Sequence, residues 1–158
     1  LIVAGLVCCW FGDMLLAHHG LVSGLAAFLA GHAAFAAAFA VRGLSWRAFA
    51  ATWATLVVPG TAVAVWLSSH APQTLWAPIW GYIVGISTMV AAAAAAHFRR
   101  CGWRLAAGAI AFYVSDIFVA RSLFVSGGLV NGLFGLPLYY AALALFGWSV
   151  DATAGLKK

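Results

Sequence analysis

Apolar residues run along this chain in blocks of helical length, separated by short polar or glycine-rich breaks. A helix that crosses a membrane needs roughly 20 mostly apolar residues. Six blocks reach or approach that length: Leu1 to about Ala17, about Leu21 to Val41, about Ala48 to Leu67, about Trp76 to Phe98, Trp103 to Phe124, and about Leu129 to Val150. The breaks between them are made of turn-forming residues, as in His18-His19-Gly20, Arg42-Gly43-Leu44-Ser45, Ser69-His70-Ala71-Pro72 and Ser126-Gly127-Gly128. The blocks lack the apolar–polar alternation of barrel strands. The pattern predicts an all-α polytopic transmembrane helix bundle with six visible spans. Residues 1–150 read as one helical domain and residues 151–158 as a short basic tail.

Composition removes the soluble alternatives. Apolar residues make up 66% of the 158 positions and charged ones 7%, against about 45–50% and about 25% in a soluble domain. A water-facing surface cannot be built from this set. The formal charge is +5, which in a soluble protein would suggest nucleic acid. Here the basic residues sit in short loops, where topology and anionic headgroups account for them, and no nucleic-acid partner is expected. Cys8, Cys9 and Cys101 lack metal-type spacing and read as free thiols.

The charges also orient the bundle. Arg42 and Arg47 follow the second span, Arg99, Arg100 and Arg104 surround the fourth break, and Lys157 and Lys158 end the chain. On the opposite side Arg121 is the one Lys or Arg. The excess places the first group of loops and the C-terminus in the cytoplasm. Trp46, Trp53, Trp76, Trp80, Trp103 and Trp148 fall near span ends, as in an aromatic belt. The alanine run Ala91–Ala96, with Gly81 and Gly85 on the same span, reads as a smooth face for close helix packing. Pro59-Gly60 is the one mid-span break. The chain opens on Leu1 without the features of a signal peptide and is expected to be a piece of a longer protein.

Two of the three acids, Asp13 and Asp116, fall inside predicted spans. A carboxylate there costs about 2.5–3.5 kcal/mol on insertion scales, and such residues usually face the bundle interior and mark function. Asp13 is 12 residues after Leu1 and Asp116 is 13 after Trp103, so each lies roughly 18–20 Å from the cytoplasmic face. Tyr82, Tyr139 and Tyr140 reach comparable levels and His32 lies nearer the midplane, so five spans can line one polar cavity. A lone intramembrane histidine is more often an interhelical hydrogen bond than a catalyst; two carboxylates at one level are a stronger sign. Arg121, five residues beyond Asp116, reads either as a side chain snorkelling to the headgroups or as a clamp for a substrate phosphate. Asn131 reads as a helix cap or as a hydrogen-bonding partner for a headgroup, with capping preferred. Adjacent His18 and His19, with His70 and His97 isolated, make a poor metal set, and Asp151 reads as solvated.

These motifs resemble the YhhN-like transmembrane lysoplasmalogenases. Gly12-Asp13-Met14-Leu15-Leu16, then Gly24-Leu25 through Phe28 to His32, and Phe39, match one stretch of that family. Tyr82 with Met89 matches a second. Gly108-Ala109 through Phe112 to Ser115-Asp116, with Ala120 and Phe124, matches a third, and Pro137-Leu138-Tyr139-Tyr140-Ala141-Ala142 the closing helix. Family members have about eight spans, so two N-terminal ones are expected to be missing here. Leu143 stands where the family usually carries Gln, and Phe35 where a hydroxylated aromatic is often found.

The resemblance implies hydrolysis of the vinyl ether of a lysoplasmalogen, a lysophospholipid held within the membrane, at a bacterial inner membrane. It requires neither a metal nor a cofactor. Protonation of the β-carbon gives an oxocarbenium ion that water traps, which needs one protonated carboxyl and one carboxylate, as in glycosidases. Asp13 and Asp116 are then the catalytic pair, with Asp116 preferred as the acid because Ser115 and Tyr113 are near it in sequence. His32, Tyr82, Ser115, Arg121, Tyr139 and Tyr140 are the candidate substrate-binding residues. The same two acids admit an intramembrane aspartyl protease, though its contexts differ from Phe11-Gly12-Asp13 and Val114-Ser115-Asp116. They also admit a proton-coupled transporter, or a passive scaffold in which they serve only as paired polar residues.

Overall fold

The computed structural model describes residues 1–96 and 103–154, with side chains through residue 149. Its helices are α1 (Ile2–His18), α2 (Leu21–Ala40), α3 (Trp46–Ser68), α4 (Trp76–Ala96), α5 (Trp103–Phe124) and α6 (Leu136–Ala154). A 3₁₀ turn, Gln73–Leu75, precedes α4, and a π-turn, Asn131–Gly135, leads into α6. Five helices are long and apolar enough to cross a membrane, while α1 has 17 residues, at the lower end of the spanning range. The protein is an all-helical integral membrane bundle. His97, Arg99, Arg100, Cys101, Lys157 and Lys158 lie outside the described residues, as does the side chain of Asp151.

Helix α4 is central. It packs on α2, α3 and α5, while α1 pairs with α2 and α5 with α6. The alanine run explains that position, since five of its six residues are buried with almost no exposed surface. Small side chains let neighbouring backbones approach where lipid offers no hydrophobic drive for association. Gly85 shares this role, because a Cβ there would collide with Leu29. Gly81 does not: nothing lies within 4 Å of its Cβ direction, and it belongs to the outer face.

Three further expectations are corrected. Pro59 leaves α3 as one continuous helix, and the adjacent Gly60 is a close-approach point, its Cβ position 3.2 Å from Ile83 of α4. Trp53 turns inward from the belt and donates its indole N–H to Thr88 Oγ1 at 3.2 Å, whereas Trp46, Trp76, Trp80, Trp103 and Trp148 are exposed. The last span starts as expected at residue 129 but opens with the π-turn. Pro137 supplies the reason: it has no N–H for the Leu133 carbonyl, and its ring crowds that oxygen, so the turn upstream widens.

The bundle has two unlike halves. At the end of the α2–α3 loop, Phe35, Phe39, Phe112 and Phe146 are fully buried. Their rings meet at centroid distances of 4.7 Å for Phe35–Phe146 and 5.4 Å for Phe39–Phe146. Glycines make room for them, since Cβ atoms at Gly5 and Gly108 would fall 2.5 and 2.7 Å from Phe35 and Phe146. Arg42 closes this end by donating to Ser149 Oγ at 3.3 Å and its carbonyl at 3.4 Å. The other half is hollow.

Candidate active site

The hollow lies toward the α1–α2, α3–α4 and α5–α6 connections. The C-terminal parts of α1, α3 and α5 and the N-terminal parts of α2, α4 and the π-turn–α6 segment all converge on it. It offers about 160 Å³ to the centres of water-sized molecules. Most of its wall is aliphatic or phenyl, including Leu16, Leu25, Phe28, Leu67, Ile83 and Leu123. The polar lining is Asp13, Tyr82, Tyr113, Asp116, Asn131 and Tyr139. Two carboxyl groups therefore share one largely apolar chamber.

Each carboxyl has its own phenol. Tyr139 of α6 donates to Asp13 Oδ2 across 2.9 Å, and Tyr82 of α4 donates to Asp116 Oδ2 across 2.7 Å. Among the described residues no hydrogen bond joins the two carboxyls to each other. His32 of α2 stands behind Tyr82, its Nε2 2.9 Å from the Tyr82 oxygen and 3.3 Å from Asp116 Oδ2. It is fully buried and lies edge-on to Phe112 at 4.9 Å and to Tyr82 at 5.1 Å. Asp116 is the deeper acid, with 16% of its side chain exposed, while Asp13 sits on the open side. Cys9, one turn below Asp13, is fully buried, and Cys8 and Cys9 are both free thiols.

Of the residues singled out from sequence, the structure thus brings together Asp13, Asp116, His32, Tyr82 and Tyr139. It does not bring in the other three. Ser115 is fully buried and donates to the Gly135 carbonyl at 2.8 Å, tying α5 to the π-turn. Tyr140 is 60% exposed on the outer face of α6. Arg121 lies at the end of α5, where it reaches the Ser126 carbonyl at 3.5 Å, outside the cavity wall. No group of three or more His, Cys, Asp or Glu among the described residues is placed to hold a metal ion.

The YhhN family model matches residues 1–150, from α1 into α6. The chain belongs to the YhhN family. Neither a curated protein nor a solved structure matches it.

Two further residues line the cavity of this YhhN chain, Tyr113, which sequence reasoning did not count as a site residue, and Asn131, which it read first as a cap. Tyr113 points its phenol toward Ser87 and the bare face of Gly60, whose Cβ position is 3.5 Å from the Tyr113 oxygen and 3.7 Å from Ser87 Oγ. Asn131, expected as a cap, is instead the first residue of the π-turn, whose N-cap position is Val130. Its Oδ1 is buried without a partner and lies against Gly135, where any side chain would collide with it. The signal for Asn131 was its place two residues from a glycine-flanked helix start, which a cap reading uses up first.

Proposed function

We propose that this YhhN protein hydrolyses the vinyl ether of a lysoplasmalogen-type lysolipid, releasing a fatty aldehyde and a glycerophospho-base. The observation that carries this reading is a single apolar chamber holding two carboxyl groups, each bonded to a different tyrosine. An aliphatic wall suits an acyl-type chain in the membrane, and the carboxyl pair suits acid-catalysed ether cleavage.

The chemistry closes on the two acids alone. One carboxyl, protonated, transfers its proton to the β-carbon, and the enol ether becomes an oxocarbenium ion beside the other carboxylate. Water adds to the α-carbon and gives a proton to that carboxylate. The hemiacetal then breaks: the glycerol oxygen leaves with that proton, and the hemiacetal hydroxyl proton returns to the first acid. Both carboxyls are restored and one water is consumed. Separate tyrosine partners favour this division of labour over a protease dyad, in which two carboxyls share one proton at contact distance.

The test is aldehyde release from a lysoplasmalogen by the full-length protein in detergent. Asp13→Asn and Asp116→Asn are each expected to reduce it at least about a hundredfold, the scale of a lost general acid or base, with folding intact. No release from well-folded wild type would remove the substrate assignment.

A further inference from the structure

The hydrogen bonds around Asp116 have a direction, and one buried nitrogen sets it. Tyr82 has a single hydrogen and sits between Asp116 Oδ2 at 2.7 Å and His32 Nε2 at 2.9 Å. Two proton orders are available. In the first, His32 Nε2–H donates to the Tyr82 oxygen and Tyr82 O–H donates to Asp116 Oδ2, and donors aimed at that oxygen favour the carboxylate over a carboxyl protonated on Oδ1. In the second, a protonated Asp116 donates to Tyr82, Tyr82 donates to His32 Nε2, and the neutral imidazole carries its hydrogen on Nδ1.

His32 Nδ1 is buried and has no hydrogen-bond partner. The second order therefore buries an N–H with no acceptor, the rarest kind of orphan in folded proteins. The first leaves there only an unused lone pair. The 3.3 Å approach of Nε2 to Asp116 Oδ2 points the same way, because it places an N–H beside the carboxylate rather than a lone pair. A doubly protonated imidazole would again bury the Nδ1 hydrogen unpaired.

Resting on the hydrolase reading above, we propose that His32 and Tyr82 are positioning residues that hold Asp116 as the carboxylate, which makes Asp13 the acid that protonates the β-carbon. Asp116 then faces the oxocarbenium ion and accepts the proton of water. This reverses the preference for Asp116 as the acid that its sequence neighbours suggested. Asp13 has one donor, Tyr139, whereas Asp116 Oδ2 faces both the Tyr82 hydroxyl and the His32 Nε2.

Infrared spectroscopy of the full-length protein in lipid nanodiscs near neutral pH tests the assignment without substrate. A carboxylic acid carbonyl band is expected that disappears in Asp13→Asn and persists in Asp116→Asn. Tyr82→Phe is expected to add a second such band, as Asp116 loses its shortest donor. A band that disappears with Asp116→Asn instead, or no carboxylic acid band at all, overturns the proposal. Nitrogen NMR of labelled histidine, with His32→Gln identifying the signal, is expected to show hydrogen on Nε2 only; hydrogen on Nδ1 overturns it.

In the aldehyde assay, Tyr82→Phe is expected to lower kcat roughly 10- to 100-fold, the worth of one hydrogen bond to a charged group, with KM little changed. His32→Gln, which keeps an N–H, is expected to retain more kcat than His32→Leu. Wild-type kcat in both Tyr82→Phe and His32→Leu would overturn the positioning role. Failure of the substrate assignment shows as absent wild-type turnover and leaves the spectroscopic outcomes readable.

Discussion

At the scale of single residues, the site separates groups that sequence alone places together. Asp13 and Asp116 were legible because an acid inside an apolar run is costly and stands out against it. Tyr139 and Tyr140 were not separable: neighbours on a helix point about 100° apart, so one bonds Asp13 while the other is exposed, and only the rotation of α6 decides which. Ser115 shows the same limit. Beside Asp116 in sequence, it turns to the Gly135 carbonyl instead. Ser115→Ala is therefore expected to lower stability by about 0.5–1.5 kcal/mol, the worth of one neutral hydrogen bond, while leaving KM for the lipid unchanged. Thermal unfolding in detergent beside the aldehyde assay checks both; a raised KM would place Ser115 in the substrate site after all.

At the scale of elements, the helices were readable almost to their ends because apolar runs and turn residues set them, while two local features were not. The π-turn before α6 follows from Pro137 acting on the residues upstream, an effect that a hydropathy pattern does not register. The continuity of α3 through Pro59 follows from its packing beside α4, with Gly60 against Ile83. Packing between α5 and α6 depends on a second glycine. A Cβ at Gly108 would lie 2.7 Å from the Phe146 ring, and overpacking of this kind costs about 1–3 kcal/mol. Gly108→Leu is expected to lower the detergent melting temperature, with Gly108→Ala falling between it and wild type. An unchanged melting temperature in Gly108→Leu would show that the two helices separate freely at this point.

At the scale of the whole molecule, the placement of charge and the placement of the cavity coincide. The connections nearest the chamber carry Arg121 as their one Lys or Arg, while Arg42, Arg47 and Arg104 lie toward the opposite end. By the positive-inside rule the chamber is then expected to face away from the cytoplasm. A cysteine in Gly127→Cys is expected to react with a membrane-impermeant thiol reagent in intact cells, and one in Ser45→Cys only after permeabilisation; the reverse order would invert the topology. The hydropathy pattern gives the helical bundle, but the division of the bundle into a hollow half and an aromatic half emerged only with the structure. It rests on long-range contacts between rings on α2, α5 and α6, which no local pattern in the chain records.

That aromatic half has an electrical consequence. Phe35, Phe39, Phe112 and Phe146 close the bundle between the carboxyl groups and the far face, and no polar side chain of the cavity wall passes beyond them. In the cycle proposed above, each proton that Asp13 and Asp116 give up returns to them within the turnover. Turnover by that cycle is then expected to carry no net charge across the bilayer, so its rate is expected not to change with membrane potential.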